Sequence, residues 1–136
     1  MELTSKLIAS CGMNCGICMG YLREKNICPG CRGSNTNKSN ARIKCIIVNC
    51  DNLKKTRSKF CSDKCDKYPC KRLKDLDKRY RTKYNMSMIE NLGNIKKFGI
   101  RKFVKNEKMR WACPKCGGTI CVHKGYCYSC GEKRRL

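Results

Sequence analysis

The chain has 136 residues, of which 32 are lysine or arginine, 10 are aspartate or glutamate and 15 are cysteine, and its formal charge is +22. The hydrophobic fraction of 40% includes those 15 cysteines, and without them it falls to about 29%, below the apolar content of an ordinary globular domain. So small a core excludes a large self-supporting domain and predicts that disulfide bonds or metal ions hold the fold together.

The compartment decides between these two kinds of cross-link. The first ten residues lack the basic start and apolar run of a secretory signal, and no run approaches the 18 apolar residues of a membrane-spanning helix. We therefore expect a cytoplasmic protein with reduced thiols, and an odd number of cysteines also suits disulfides poorly. Metal binding is favoured, with a disulfide scaffold as the alternative if a signal has been cleaved.

The cysteines divide the chain into three parts. Ten lie between Cys11 and Cys70, none between Lys71 and Ala112, and five between Cys113 and Cys130. We predict a small α+β fold cross-linked by metal ions, in which residues 1–70 form a cysteine-rich metal-binding module. Residues 71–112 form a basic helical connector packed on that module, and residues 113–136 form a zinc-ribbon hairpin.

The cysteine-rich module is predicted to begin with a helix. Asn14 can cap a helix that runs through Leu22, which places Cys15 and Cys18 in its first turn. Residues 33–40 are a polar loop.

The ten thiols of this module suffice for two four-ligand metal sites. The preferred grouping assigns Cys15, Cys18, Cys28 and Cys31 to one ion and Cys45, Cys50, Cys61 and Cys65 to another, which leaves Cys11 and Cys70. Thiolates hold iron–sulfur clusters as readily as zinc, so a cluster on Cys11, Cys15 and Cys18, completed by Cys28 or Cys31, is the alternative. The Cys-x3-Cys-x2-Cys spacing looks like that of radical S-adenosylmethionine enzymes, but the chain is far too short for their barrel.

The connector reads as two helices and an ambiguous segment. After Pro69, apolar residues recur at helical spacing at Leu73, Leu76, Tyr80 and Tyr84. A second helix is predicted from the capping box formed by Ser87 and Glu90, with an apolar face at Ile89, Leu92 and Ile95 and an end at Gly99. Residues 100–111 suit a short helix or a strand, with Phe103, Val104 and Trp111 available for packing.

The strongest metal signal is a pair of Cys-x2-Cys knuckles. Cys113 and Cys116 form one, Cys127 and Cys130 form the other, and each is followed by a glycine that permits a tight turn. Two such pairs complete a tetrahedron around zinc, although the ten residues between them are fewer than usual. The alternative interpretation is a pair of transient redox disulfides.

Cys121 and His123 lie between the knuckles and are additional ligand candidates. They alternate with Val122 and would share one face of a strand. A buried thiol and a hydrogen-bonded histidine are the alternative roles. His123 is the only histidine, and no hydrolytic site or catalytic residue is predicted.

The positive charge is greatest in the connector. Its first helix predicts a nucleic-acid-binding surface that neutralises phosphates. The alternatives are an acidic protein, an anionic membrane surface, or a compositional excess of lysine without function. The candidate residues are Lys71, Arg72, Lys74, Lys78, Arg79, Arg81 and Lys83.

An ordered series of cysteine motifs between residues 8 and 76 suggests a family. The motifs are Cys11 to Cys18 with Tyr21, Cys28 to Arg32, Cys45, Cys50, Phe60 to Cys65 and Tyr68 to Cys70. The series resembles the bacterial and archaeal family called domain of unknown function 3795, and the helices and ribbon that follow resemble a longer subgroup of it. The resemblance implies a cytoplasmic metal-binding protein and supplies no reaction.

Together these patterns predict a non-enzymatic zinc-binding module with two to four zinc ions, whose basic helices bind a macromolecule such as nucleic acid. One rival is an iron–sulfur redox or electron-transfer protein. Another is a metal-storage or metal-sensing protein that uses the surplus thiols.

Overall fold

The computed structural model describes residues 4–47 and 49–134, and the protein it shows is small and mostly helical. The outer ends of the predicted module and ribbon, residues 1–3 and 135–136, lie outside the described residues. Two 3-10 turns, Ser5–Leu7 and Cys15–Ile17, accompany the α-helices. The helices are α1 (Met19–Leu22), α2 (Asn40–Ile43), α3 (Asp51–Thr56), α4 (Cys61–Lys64), α5 (Lys71–Tyr84), α6 (Met88–Phe98) and α7 (Ile100–Arg110).

The strand content is lower than the predicted α+β class implies. Within residues 4–47 and 49–134, β pairing is limited to four isolated antiparallel bridges. One joins Ile8 to Asn14, and the other three lie at the ribbon, where they join Ala112 to Thr119, Ile120 to Cys127 and Tyr126 to Lys133. The predicted hairpin is therefore reduced to separate bridges between turns.

The two predicted connector helices are confirmed. The first is α5, which buries Leu73, and the second is α6, which begins at the predicted cap because Ser87 Oγ accepts a hydrogen bond from Glu90 N at 3.0 Å. Gly99 follows α6 with φ of 86°, a backbone conformation that favours glycine. The ambiguous segment after it is helical, since α7 buries Phe103 and Glu107 one turn apart.

The junction between α5 and α6 depends on a buried carboxylate. Asp77 Oδ1 accepts hydrogen bonds from Ser87 Oγ at 2.6 Å and from Ile89 N at 3.0 Å, and Asp77 Oδ2 accepts one from Arg81 Nε at 2.6 Å. These hydrogen bonds lower the pKa of Asp77, although burial acts in the opposite direction. One side chain of α5 thereby fixes the start of α6.

The continuous helix predicted from Asn14 to Leu22 is wrong. Asn14 does cap a turn, since its Oδ1 accepts from Gly16 N at 2.9 Å, but the backbone is extended at Cys18 before α1 begins. Residues of the ribbon form hydrogen bonds with backbone groups that would be paired within the helix if it were continuous. Val122 N donates to Ile17 O at 2.9 Å, and Met19 N donates to His123 Nδ1 at 3.3 Å.

The core draws on all three parts of the sequence. Ile8 and Ile17 come from the cysteine-rich part, Leu73 and Leu92 from α5 and α6, and Val122 from the ribbon. Asn91 of α6 also donates through Nδ2 to the carbonyl of Gly12 at 3.0 Å. No helix in the described part of the chain is both long enough and apolar enough to cross a lipid bilayer.

Candidate metal centre

The four cysteines of the two knuckles converge. The sulfur atoms of Cys113, Cys116, Cys127 and Cys130 all lie within 4.8 Å of one another. Cys113 Sγ is 3.6 Å from Cys130 Sγ, and Cys116 Sγ is 3.6 Å from Cys127 Sγ. A tetrahedron with zinc–sulfur bonds of about 2.3 Å has edges of about 3.8 Å, so these four sulfurs can hold one metal ion.

Local backbone hydrogen bonds shape both knuckles in the same way. In the first, Cys113 N donates to Gly118 O at 2.8 Å and Gly117 N donates to Cys113 O at 2.9 Å. In the second, Cys127 N donates to Glu132 O at 2.8 Å and Gly131 N donates to Cys127 O at 2.9 Å. The predicted turn glycines Gly117 and Gly131 both have positive φ, 76° and 81°. The geometry of the site thus follows from two short segments.

The knuckle sulfurs differ in exposure and acidity. Cys113 and Cys127 are buried, whereas Cys116 and Cys130 are exposed. Burial raises the pKa of Cys127, but hydrogen bonds from the backbone N–H groups of Cys130 and Ser129 outweigh it and lower that pKa to about 7. An N–H group also approaches the first knuckle, where Gly118 N donates to Cys116 Sγ at 3.4 Å. Such donors favour the thiolate form that binds metal.

His123 and Cys121 do not belong to this four-sulfur group. His123 Nδ1 accepts from Met19 N, which leaves the ring proton on Nε2, 2.8 Å from the hydroxyl of Tyr80. The His123 ring also lies 5.0 Å from the Tyr84 ring, so both tyrosines pack against the ribbon. Cys121 is fully buried, and burial raises the pKa of its thiol. His123 therefore connects the ribbon to α1 and α5, while Cys121 is a buried thiol within the ribbon.

The ten N-terminal thiols are arranged differently. Among residues 4–47 and 49–134, no group of three or more possible ligands other than the knuckle cysteines has its ligand atoms within 4.8 Å of one another. One pair from different segments is nevertheless close, because Cys31 N donates to Cys15 Sγ at 3.4 Å.

Electrostatic interactions also connect the other N-terminal thiols, and the predicted partition of these cysteines between two ions stays a prediction. Burial and, to a lesser extent, the neighbouring thiols of Cys70, Cys50 and Cys65 raise the pKa of Cys61 to about 12. Burial also raises the pKa of Cys11 to about 12, with contributions from Cys31, Cys61 and Cys45. The predicted grouping leaves out Cys11 and Cys70, yet both interact with the other thiols.

Arg32, which ends the Cys28 to Arg32 motif, is a charged residue close to these thiols. Its guanidinium donates to Ile8 O at 2.7 Å and to Lys59 O at 2.6 Å, and it lies 5.0 Å from the centre of the Phe60 ring. Burial lowers the pKa of Arg32, while Cys15 and Cys11 act against that change. The motif indicated that Arg32 lies beside Cys31, but not that its guanidinium donates to backbone carbonyls of two other segments.

The predicted nucleic-acid-binding residues of α5 are all exposed: Lys71, Arg72, Lys74, Lys78, Arg79, Arg81 and Lys83. Lys71 forms an ion pair with Asp75 at 3.2 Å, and Arg81 forms one with Asp77 at 2.6 Å. Within the described part of the chain, the other five form no ion pair with an acidic group. Tyr80 and Tyr84 of the same helix are half-buried and pack against the core.

Comparison with known proteins gives no assignment. No protein-family model, no curated protein and no solved structure matches the chain. Membership of the family of unknown function 3795 therefore stays a prediction, and the geometry of the sites is the basis for any function.

Proposed function

We propose that this chain is a non-enzymatic zinc-binding protein whose basic helical surface binds a polyanionic macromolecule, with nucleic acid as the first candidate. The observation that carries the proposal is the convergence of four knuckle sulfurs within 4.8 Å. A closed set of four cysteine ligands is typical of structural zinc, whereas catalytic zinc sites keep an open position. Zinc bound here supplies cross-linking that the small apolar core lacks.

The N-terminal thiols are proposed to bind further zinc ions. The guanidinium of Arg32 interacts with Cys15, Cys11 and Cys31, and Cys11 interacts with Cys45 and Cys61 from segments distant in sequence. Iron is the competing metal, because four thiolates accept either element. Elemental analysis of anaerobically prepared protein separates them. Zinc with no absorbance near 400 nm supports the proposal, whereas iron with that absorbance favours an electron-transfer protein.

Binding of a macromolecule is supported by the charge. A zinc ion on four thiolates contributes a net charge of −2, so the knuckle site lowers the formal charge from +22 only to about +20. Five of the seven candidate cations on α5 are exposed and free of acidic partners among the described residues. When such cations contact the phosphates of a nucleic acid, they displace the counterions bound to those phosphates, and this release favours binding.

A salt titration tests this part of the proposal. We expect the zinc-loaded chain to bind a single-stranded oligonucleotide with an affinity that falls linearly on a log–log plot against salt. The triple variant Lys74→Gln, Lys78→Gln, Arg79→Gln is expected to reduce the magnitude of that slope by about 2. A matched control replaces three exposed lysines elsewhere, Lys44, Lys54 and Lys64.

An equal loss in the control variant would assign the binding to overall charge, not to α5. Absence of binding at low ionic strength would contradict the proposal. Competition by polyglutamate at equal charge, without preference for the oligonucleotide, would favour an acidic protein as partner.

A further inference from the structure

Hydrogen bonds to the backbone link separate N-terminal segments beside Cys11. Cys61 N donates at 2.9 Å to the carbonyl of the residue that precedes Cys11, so the first residue of α4 lies next to this thiol in the fold. Arg32 reaches the same place, since its guanidinium donates to Ile8 O at 2.7 Å and to Lys59 O at 2.6 Å. Three segments that are far apart in sequence therefore meet at Cys11.

Three more thiols are neighbours of Cys11 or of each other at this place. Cys31 N donates to Cys15 Sγ at 3.4 Å, and a Cβ on Gly30 would lie 3.9 Å from the same sulfur, so the turn that carries Cys31 packs on Cys15. A hydrogen bond with the Cys31 thiol and burial raise the pKa of Cys15, and Cys11 also raises it. Cys45 packs against the core and contributes, with Cys31, to the raised pKa of Cys11.

A second set of thiols lies around Cys61. Burial raises the pKa of Cys61, and the thiols of Cys70, Cys50 and Cys65 contribute to this shift. Cys50 directly precedes α3, and Asn52 in the first turn of that helix donates through Nδ2 to Cys65 Sγ at 3.9 Å. The start of α3 therefore packs on the segment that carries the other three thiols.

Cys18 and Cys28 have different neighbours. Burial raises the pKa of Cys121 in the ribbon, and the Cys18 thiol contributes to this shift. Cys28 N donates to the carbonyl of Gly20 in α1 at 2.8 Å. These contacts connect both residues with α1 and the ribbon, and we therefore place them outside both sets.

Arg32 brings a positive charge to the first set. A divalent ion bound by four thiolates carries a net charge of −2, which a neighbouring cation stabilises. Burial lowers the pKa of Arg32, and the thiols of Cys15 and Cys11 are the largest influences in the opposite direction. The guanidinium thus favours the thiolate forms that bind a metal ion.

We propose that each of these two sets of thiols binds one zinc ion. The first set is Cys11, Cys15, Cys31 and Cys45. The second set is Cys50, Cys61, Cys65 and Cys70. The inference rests on the proposed function and deepens it, since it names the ligands of the N-terminal ions. Unlike the grouping based on spacing, it includes Cys11 and Cys70 and leaves out Cys18 and Cys28.

Rotation of side chains completes both sites. Among residues 4–47 and 49–134, only the knuckle sulfurs form a group within 4.8 Å, so at least one pair of sulfurs in each set is farther apart. A cysteine sulfur moves by about 3 Å between χ1 rotamers, which is enough to bring neighbouring thiols onto one ion. Zinc binding is therefore expected to order these side chains with little change in the backbone.

Cadmium-113 NMR tests the ligand sets directly. The zinc in the full chain is exchanged for cadmium-113, and the β protons of each cysteine are correlated with the cadmium nucleus bound to its sulfur. We expect one cadmium signal to correlate with the first set, one with the second set and one with the four knuckle cysteines. All ligands stay in place, so this measurement does not depend on whether a variant folds.

Four single variants separate the proposed sets from the grouping based on spacing. Native mass spectrometry counts the zinc ions in each. Cys11→Ser and Cys70→Ser are each expected to lose about one ion, whereas Cys18→Ser and Cys28→Ser are expected to keep the full number. Cys18→Ser is the matched control for Cys11→Ser, because both thiols are buried in the same N-terminal segment.

The inference is overturned, with the proposed function intact, if N-terminal ions bind but Cys18 or Cys28 shares an ion with Cys15. Loss of an ion from Cys18→Ser but not from Cys11→Ser also overturns it. If the knuckle ion is the only one found, the N-terminal zinc of the proposed function fails and the inference fails with it.

Discussion

The two cysteine-rich regions of this protein differ in how their thiols are brought together. At the ribbon, two knuckles within 18 residues place four sulfurs within 4.8 Å, and each knuckle is shaped by its own backbone hydrogen bonds. The ten N-terminal thiols are spread over 60 residues, and in the described part of the chain no three of them form so close a group. Within each knuckle, local backbone hydrogen bonds set the positions of the two sulfurs. A metal site assembled from distant segments depends instead on tertiary packing and on the metal ion to bring its ligands together.

Breaking a knuckle should have the largest effect. Cys127→Ser removes a buried ligand, and we expect the chain to lose about one metal ion together with folding free energy on the order of 10 kcal/mol at the ribbon. Elemental analysis and the near-ultraviolet circular dichroism of Trp111 measure both losses. The control Cys121→Ser changes an equally buried thiol outside the group, and an equal loss of metal in that variant would contradict the assignment.

The N-terminal region provides the next test of the comparison. If its thiols bind metal, the unmodified chain contains more than one ion, and Cys61→Ser lowers the total by about one while the knuckle site stays loaded. Mass spectrometry under native conditions counts the ions in each variant. A single ion per unmodified chain would show that the N-terminal thiols serve another purpose.

A substitution at the junction between α5 and α6 should have an intermediate effect on stability. Asp77→Asn weakens three hydrogen bonds at a buried site and is expected to cost about 2 to 3 kcal/mol in the free energy of unfolding. Asp75→Asn, two residues earlier, alters only an exposed ion pair and should cost less than about 1 kcal/mol. Denaturant titration at neutral pH compares the two variants.

The contribution of the Asp77 carboxylate to stability should depend on pH. Because the folded pKa of Asp77 lies below its unfolded value, its contribution to stability is complete above about pH 4 and is lost as the pH falls through the lower, folded pKa. Acid unfolding of the unmodified chain and of Asp77→Asn should therefore converge at low pH. Parallel curves down to the lowest pH would contradict this role.

Substitutions of two adjacent glycines in the first knuckle should have the smallest effects. They distinguish steric crowding at the sulfurs from backbone strain. A Cβ on Gly118 would lie 3.0 Å from Ser129 Oγ and 3.2 Å from two of the knuckle sulfurs, so Gly118→Ala is expected to weaken zinc affinity about tenfold, or about 1.4 kcal/mol. Gly117→Ala meets no atom within 4 Å but has positive φ, and it should cost about 1 kcal/mol in stability with little change in affinity. Competition with a chromophoric chelator measures the affinities.

Several features follow from residues close together in sequence, and these were predictable. The apolar spacing at Leu73 and Leu76 indicated α5, and the cap at Ser87 marked the start of α6. The paired cysteines with their glycines indicated the four-sulfur group. Each of these depends on hydrogen bonds or side-chain contacts within one or two turns of the chain.

Other features depend on partners that no local pattern names. The break at Cys18 arises because Val122 and His123 take backbone groups of the first helical turn, and Asp77 caps a helix from another element. A cavity beside Glu107 is lined by three segments at once. Local helix propensity does not predict these features, because each depends on a contact with a segment distant in sequence.

Ligand spacing and helical periodicity act over short distances, so local patterns in the chain were enough to predict the four-sulfur group, α5 and α6. Tertiary packing, by contrast, places Arg32 near Cys11 and Cys15 and brings Asn14, Glu107 and Trp111 to one cavity. Those arrangements follow from the burial of a single core by segments from the whole chain, and burial depends on the complete set of packing partners.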